Sequence, residues 1–94
     1  MANPSSEALE AVKKLTIQIN PRDLRSIVTL LGNDSIQQLI TRIESRPEEF
    51  GKHEMVIVEL LKELKPDLCK SLELLTKEIY SNTENLLYKY IPLD

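Results

Sequence analysis

The sequence predicts an all-α fold: a compact bundle of four to five helices joined by short connections, forming one domain over residues 1–94. Three observations carry that reading. Glycine occurs twice and aromatic residues make up 4% of the chain, while leucine, glutamate and lysine dominate; sheets of short strands draw on β-branched and aromatic residues instead. Four of the five prolines, Pro4, Pro21, Pro47 and Pro66, stand where a helix would begin, because a first-turn proline forfeits only an N–H that has no intrahelical partner. Aliphatic residues then recur at three- and four-residue spacings.

A first helix is expected over 4–19, with Asn3 as its cap, Glu7 near the positive end of the helix dipole, and Ala8, Val12, Leu15 and Ile19 as a buried stripe. Asn20-Pro21 restarts the chain as cap and first-turn proline. The second helix spans 21–31, with Asp23 in its first turn and Leu24, Ile27, Val28 and Leu31 facing inward. Gly32 reads as its left-handed cap. A third helix, 34–45, is capped by Asp34 or Ser35 and carries Ile36, Leu39, Ile40 and Ile43. It must stop before Pro47, whose ring pushes Arg46 toward extended geometry. Helices two and three therefore form a tight hairpin.

Residues 45–52 read as a connection with one helical turn and Phe50 folded back onto the core. Met55-Val56-Ile57-Val58 alone has the look of a strand. It runs unbroken into a leucine-rich stretch, however, and the combined length fits a helix over 53–64. Apolar residues cover more than one face of that helix, so it is either central in the bundle or covered on a second side by a partner. The last helix is expected to be long, 66–90, with Ser81-Asn82-Thr83, three poor helix formers in a row, marking the place for a bend or break.

Along that helix Leu68, Leu72, Leu75, Ile79, Asn82 and Leu86 follow a heptad spacing with one polar member. Two roles fit: the core face of the longest helix, or a seam pairing two copies with Asn82 setting the register. Leu74, Leu87 and Ile91 widen the apolar surface beyond a narrow seam, which favours the first. A faint self-similarity at an offset of 44, Asp23-Leu24 against Asp67-Leu68, reflects shared helix-start signals rather than a repeat.

Composition narrows the function. With 41% hydrophobic and 29% charged residues and a net charge of -3, the chain is too apolar for a disordered tail. No run approaches the roughly 18 apolar residues of a membrane span, and the amino terminus lacks the basic and apolar regions of a signal peptide, so a cytoplasmic setting is expected. One cysteine, Cys69, and one histidine, His53, cannot supply a disulfide framework or a zinc set, so neither metal nor cofactor is expected. Two glycines cannot build a phosphate-cradling loop. Carboxylates fall at i,i+4 from lysines, as in Glu10 with Lys14, Glu48 with Lys52 and Glu73 with Lys77, the arrangement of solvated helix faces. No nucleophile and base pair stands out, and the expectation is not an enzyme.

What remains is an interaction module, an adaptor or small subunit whose partner is another protein or a second copy of the chain. The motive is apolar excess around Met55 and in the ending Leu86-Leu87-Tyr88-Lys89-Tyr90-Ile91-Pro92-Leu93-Asp94, where chain ends are usually polar. Candidate contact residues are Met55, Val58, Tyr80, Leu87, Tyr88, Tyr90, Ile91 and Leu93 on the surface of the fourth and fifth helices, with Asn82 as a dimer-register position. Packing of the ending onto the chain's own bundle is the competing explanation.

Two alternatives come from other classes. A nucleic-acid regulator would use Lys13, Lys14, Arg22, Arg25, Arg42 and Arg46, although residues 1–47 hold six basic and five acidic side chains and 48–94 six and ten, a poor balance for phosphate binding. Treating 24–43 as a helix-turn-helix also places Asn33 and Gln38 where packing needs apolar side chains. The weaker alternative is a bundle holding a small apolar ligand between its helices.

Overall fold

Prolines and capping side chains set the helix boundaries, as their positions in the chain suggest. The computed structural model describes residues 6–81 and 87–91, and every regular element among them is helical. Five helices of ten residues or more, α1 (Ser6–Gln18), α2 (Pro21–Leu31), α3 (Ile36–Ser45), α4 (Lys52–Glu63) and α5 (Pro66–Tyr80), are followed by the one-turn α6 (Leu87–Tyr90). The predicted all-α bundle is the fold found. The start proposed at Asn3-Pro4 lies outside the described residues.

Asn20 caps α2 by accepting the Arg22 N–H at 2.8 Å, with Pro21 in the first turn. Ser35, not Asp34, caps α3: its hydroxyl accepts the Gln38 N–H at 3.2 Å while the Gln38 side chain accepts the Ser35 N–H at 2.8 Å. Asp34 is held in the preceding turn, where its N–H bonds to the Leu31 carbonyl at 2.9 Å. Gly32 has φ 53 and ψ -121, the geometry of the first central residue of a type II′ turn, so the expected left-handed cap is a tight turn of another kind. Arg42 closes this corner from α3, meeting Asp34 at 3.0 Å and donating to the Leu30 carbonyl, one of the α2 acceptors that has no intrahelical partner.

A single 3-10 turn, Pro47–Glu49, links α3 to α4, and Phe50 packs half-buried against the core as expected. Glu54 accepts the Gly51 N–H at 3.0 Å at the start of α4. Leu64 and Lys65 are extended ahead of Pro66, which ends α4 one residue earlier than predicted. Of the expected helix over 66–90, α5 runs to Tyr80 and ends at Ser81, the first of the three residues where a bend or break was expected. The chain leaves the helix after Tyr80, where the Ser81 hydroxyl donates to the Glu78 carbonyl at 3.1 Å and competes with continued helix.

The largest interface is α1 against α5. The end of α1, Gln18 and Ile19, lies beside Leu64 just ahead of α5, while Ala11 and Lys14 lie beside Ser71 and Leu74, so the two helices run antiparallel. Ala8 and Ala11 are buried in α1, and such small residues allow close helix approach. Leu68, Leu72, Leu75 and Ile79 are buried opposite. The four described heptad positions are thus covered inside the chain's own bundle; Asn82 and Leu86 lie outside the described residues.

The α2–α3 hairpin completes the core through Leu24, Ile27, Val28, Leu31, Leu39 and Ile43. Two cross-links hold it: Glu73 of α5 accepts the Ile36 N–H at the start of α3 at 3.0 Å, and Lys62 of α4 pairs with Glu44 of α3. The Glu73 carboxylate also sits at the positive end of the α3 dipole. It therefore ties α5 to α3 rather than pairing with Lys77 along its own helix.

The turn geometry sets a test. A side chain added at Gly32 meets no atom within 4 Å but inherits a positive φ, whereas one at Gly51 meets only the movable Glu54 carboxylate at 3.3 Å. Gly32→Ala is expected to cost about 1–3 kcal/mol through backbone strain alone. Urea denaturation should show a clearly smaller loss for Gly51→Ala.

Candidate functional site

The solvent face of α2 forms the floor of an open groove. Arg25, Ser26, Thr29 and Leu30 line it from α2, His53 and Glu54 from the first turn of α4, and Leu87 from α6, around a volume of about 300 Å³. The helix periodicity explains the floor: Leu24, Ile27, Val28 and Leu31 turn inward, which leaves Ser26 and Thr29 facing out. Tyr80, at the end of α5, stands beside it with its hydroxyl 3.5 Å from the Thr29 carbonyl and 43% of its surface exposed. The groove is therefore mixed in character, with Leu30 and Leu87 apolar and the rest polar or charged.

The predicted contact residues divide sharply by burial. Tyr80 is exposed, and Met55 and Leu87 are half-buried against the core. Val58, Tyr90 and Ile91 are 2%, 2% and 1% exposed. They belong to the interior and form no part of a surface in this conformation, because α4 and the α6 turn with Ile91 both pack onto the bundle. Leu93 and the Tyr88 side chain lie outside the described residues. Among the described residues, the large apolar side chains that reach solvent are Leu9, Ile17, Val56, Leu74 and Tyr80, and they are distributed over α1, α4 and α5.

A second depression of about 420 Å³ runs between α1 and α5, lined by Ser6, Glu7, Glu10, Ala11, Lys14, Ser71 and Leu74. It is larger than the α2 groove; Glu7, Glu10 and Lys14 are its charged lining residues and Leu74 its one large apolar side chain. Both depressions open to solvent rather than enclosing a ligand, unlike the concave, mostly apolar pockets that bury small molecules.

His53 and Ser26, 27 residues apart in sequence, come within 3.4 Å through Nε2 and Oγ. The pair has the outline of a base and nucleophile, but the contact is long and the Ser26 hydroxyl has a second acceptor in the Arg22 carbonyl at 3.2 Å. Glu54, the nearest carboxylate in sequence, is bonded to the Gly51 N–H and does not orient the ring. Nothing in the sequence signalled this pairing, which depends on the α2–α4 packing. Cys69 is remote from the arrangement: it lies half-buried on α5 with its sulfur 3.8 Å from the Leu64 carbonyl.

The six cations considered for nucleic acid are largely engaged. Arg25 is 9% exposed and donates from Nε to the Ile91 carbonyl at 2.6 Å. Arg42 holds the α2–α3 corner, Arg46 lies 3.6 Å from Glu49, and Lys13 lies 3.9 Å from Glu10, not Lys14 from Glu10 as the spacing suggested. Lys14 lines the α1–α5 depression and Arg22 is exposed at the start of α2. Among the described residues, no group of three or more histidine, cysteine, aspartate or glutamate side chains is placed to hold a metal ion, and no helix is long and apolar enough to cross a membrane. No family model, curated protein or solved structure matches the chain.

Burial pushes the Cys69 thiol above its ordinary range, with the nearby charges of Glu73 and Asp67 adding to the effect. Each cause disfavours the thiolate, which is the reactive form. Alkylation by iodoacetamide, followed by mass spectrometry across a pH series, should therefore rise at higher pH than for a free cysteine peptide. Glu73→Gln should move the profile back toward lower pH.

Proposed function

We propose that the chain is a non-enzymatic protein–protein interaction module, an adaptor or small subunit that engages a protein partner through the α2 groove and its Tyr80 edge. The observation that carries this reading is Tyr80 itself. An aromatic side chain with 43% of its surface exposed, its hydroxyl 3.5 Å from the Thr29 carbonyl, offers a large contact area on only two side-chain torsions. Tyrosine in this setting is a preferred anchor of protein interfaces. Leu30 and Leu87 supply an apolar centre beside it, and Ser26, His53 and Glu54 supply a polar rim.

The reading moves the contact surface from the fourth and fifth helices, where the sequence assigned it, to the face of α2, keeping Tyr80 and Leu87 from the sequence's contact residues. Met55, Tyr80 and Leu87 remain accessible to differing degrees, whereas Val58, Tyr90 and Ile91 support them from inside. A second copy is one partner that this surface can take. The proposal places the module in the cytoplasm, a reducing setting that suits a single free thiol. It invokes no metal or cofactor.

Light scattering behind size exclusion, run from micromolar to near-millimolar chain, separates self-association from a different partner. Tyr80→Ala should abolish whichever association is found, weakening it at least tenfold, of the order expected for an interface anchor worth about 2 kcal/mol. Leu74→Ser, in the α1–α5 depression, should leave it unchanged. The opposite pattern would move the interface to α1 and α5, and equal insensitivity to both changes would remove the proposal.

A further inference from the structure

Two depressions follow one another along α1, away from the α2 groove. The first, of about 420 Å³, is lined by the small residues Ala11 and Ser71 with Leu74, 42% exposed, beside them. The second, of about 270 Å³, lies between Gln18 and Ile19 at the end of α1 and Leu60, Glu63 and Leu64 at the end of α4. Glu7, Ala11, Lys14 and Gln18 recur at spacings of four, three and four, so one stripe of α1 borders both depressions. From Ala11 to Gln18 the helix rises about 10 Å, roughly two turns.

Apolar side chains mark both places. Leu74 stands at the first, and Leu60 and Leu64 line the second. Val56, 63% exposed and one turn before Leu60, extends that side along α4. The inner face of α4 is taken by Ile57, Val58 and Leu61, which leaves Val56 and Leu60 as the second apolar face that the sequence showed on this helix. The rim is mainly acidic: Glu7 and Glu10 lie at the first depression and Glu63 at the second, with Lys14 between. Glu10 is tied only loosely, 3.9 Å from Lys13 with both side chains mostly exposed. Such a rim repels nucleic acid and anionic lipid and attracts lysine or arginine.

We propose that the furrow along α1, with α5 and the end of α4 as its far wall, docks one amphipathic, basic helix of a partner protein. Two apolar side chains of that helix, seven residues apart, enter the two depressions, and its lysines or arginines meet Glu7, Glu10 and Glu63. The spacing carries the choice of a helix, because side chains seven residues apart share a helix face and stand about 10 Å apart, the separation along α1. Charge complementarity carries the choice of a basic one. The furrow shares no lining residue with the α2 groove. A chain with both faces can hold two partners at once, as an adaptor does, and this inference does not rest on Tyr80.

The probe is a fluorescein-labelled, alanine-based helical peptide with two leucines seven residues apart, a lysine one turn outside each and a glutamate between them. Fluorescence polarisation against the full chain should show saturable binding that Leu74→Ser weakens about tenfold and Tyr80→Ala leaves unchanged. Placing the leucines five residues apart, on different helix faces, should cost a similar factor. Glu7→Lys combined with Glu10→Lys, both at exposed positions, should lose the peptide and bind its charge-swapped form better than the wild type does, a reversal that a damaged fold would not produce. Absence of saturable binding, equal affinity for the two leucine spacings, or indifference to Leu74→Ser or to the charge reversal would overturn the proposal. Loss of binding on Tyr80→Ala would also overturn it, by placing the peptide in the α2 groove. So would self-association of the chain that the peptide displaces, which would make a second copy the occupant.

Discussion

The close antiparallel packing of α1 against α5 is the contact on which the rest of the molecule depends. Ala8 and Ala11 are almost fully buried in α1, and a larger residue at either position would force the helix backbones apart. Because α1 lies close, the leucines of α5 can fill the interior from one side while α2 and α3 fill it from another. A chain of this length has apolar side chains for one core and few beyond it. This explains why residues that appear surplus in the sequence are interior in the fold.

Polar groups then fix how the layers sit on one another. Glu73 joins α5 to the first turn of α3, Lys62 joins α4 to α3 through Glu44, and Arg42 folds back over the α2 end. The Glu44 hydrogen bond is the chief reason the Lys62 ammonium is held above its usual range, with burial working against it and the charges of Glu44 and Glu59 adding to it. Arg25 serves the same purpose for the chain's end. Each of these charged groups meets a backbone group or a charge on a neighbouring segment, which makes electrostatics here a matter of assembly more than of steering.

The helices were legible in the sequence because their signals are local. Pro21 and Pro66 stand at the starts of α2 and α5, Asn20 and Ser35 cap α2 and α3, and the inward stripes of α2 and α3 follow directly from three- and four-residue spacing. Heptad spacing extends past Tyr80, but the poor helix formers beginning at Ser81 mark where α5 ends, with the Ser81 hydroxyl donating to the Glu78 carbonyl. What escaped the sequence is tertiary. Gly32 announced a positive φ but not which turn would use it. The Ser26 and His53 pair, and the use of Arg25 to hold the Ile91 carbonyl, join positions 27 and 66 residues apart, and no pattern in one sequence relates them. For the same reason Val58, Tyr90 and Ile91 read as surface excess: hydrophobicity marks a residue for burial without saying whether its cover comes from the same chain.

That last ambiguity bears on how the molecule can act. A surface made of leftover apolar residues would be permanently exposed and would tend to associate without selectivity. Here Tyr90 and Ile91 are covered by their own chain, and the accessible face of α2 is mixed, with an exposed aromatic ring at its edge and polar groups around two leucines. On the proposed reading, such a face selects a shape- and hydrogen-bond-matched partner, since polar groups left unpaired on contact cost more than the apolar contact returns. Covering the chain's end therefore does more than complete the core. It keeps the apolar ending away from chance contacts while Leu87, at the start of α6, still contributes to the face that stays open.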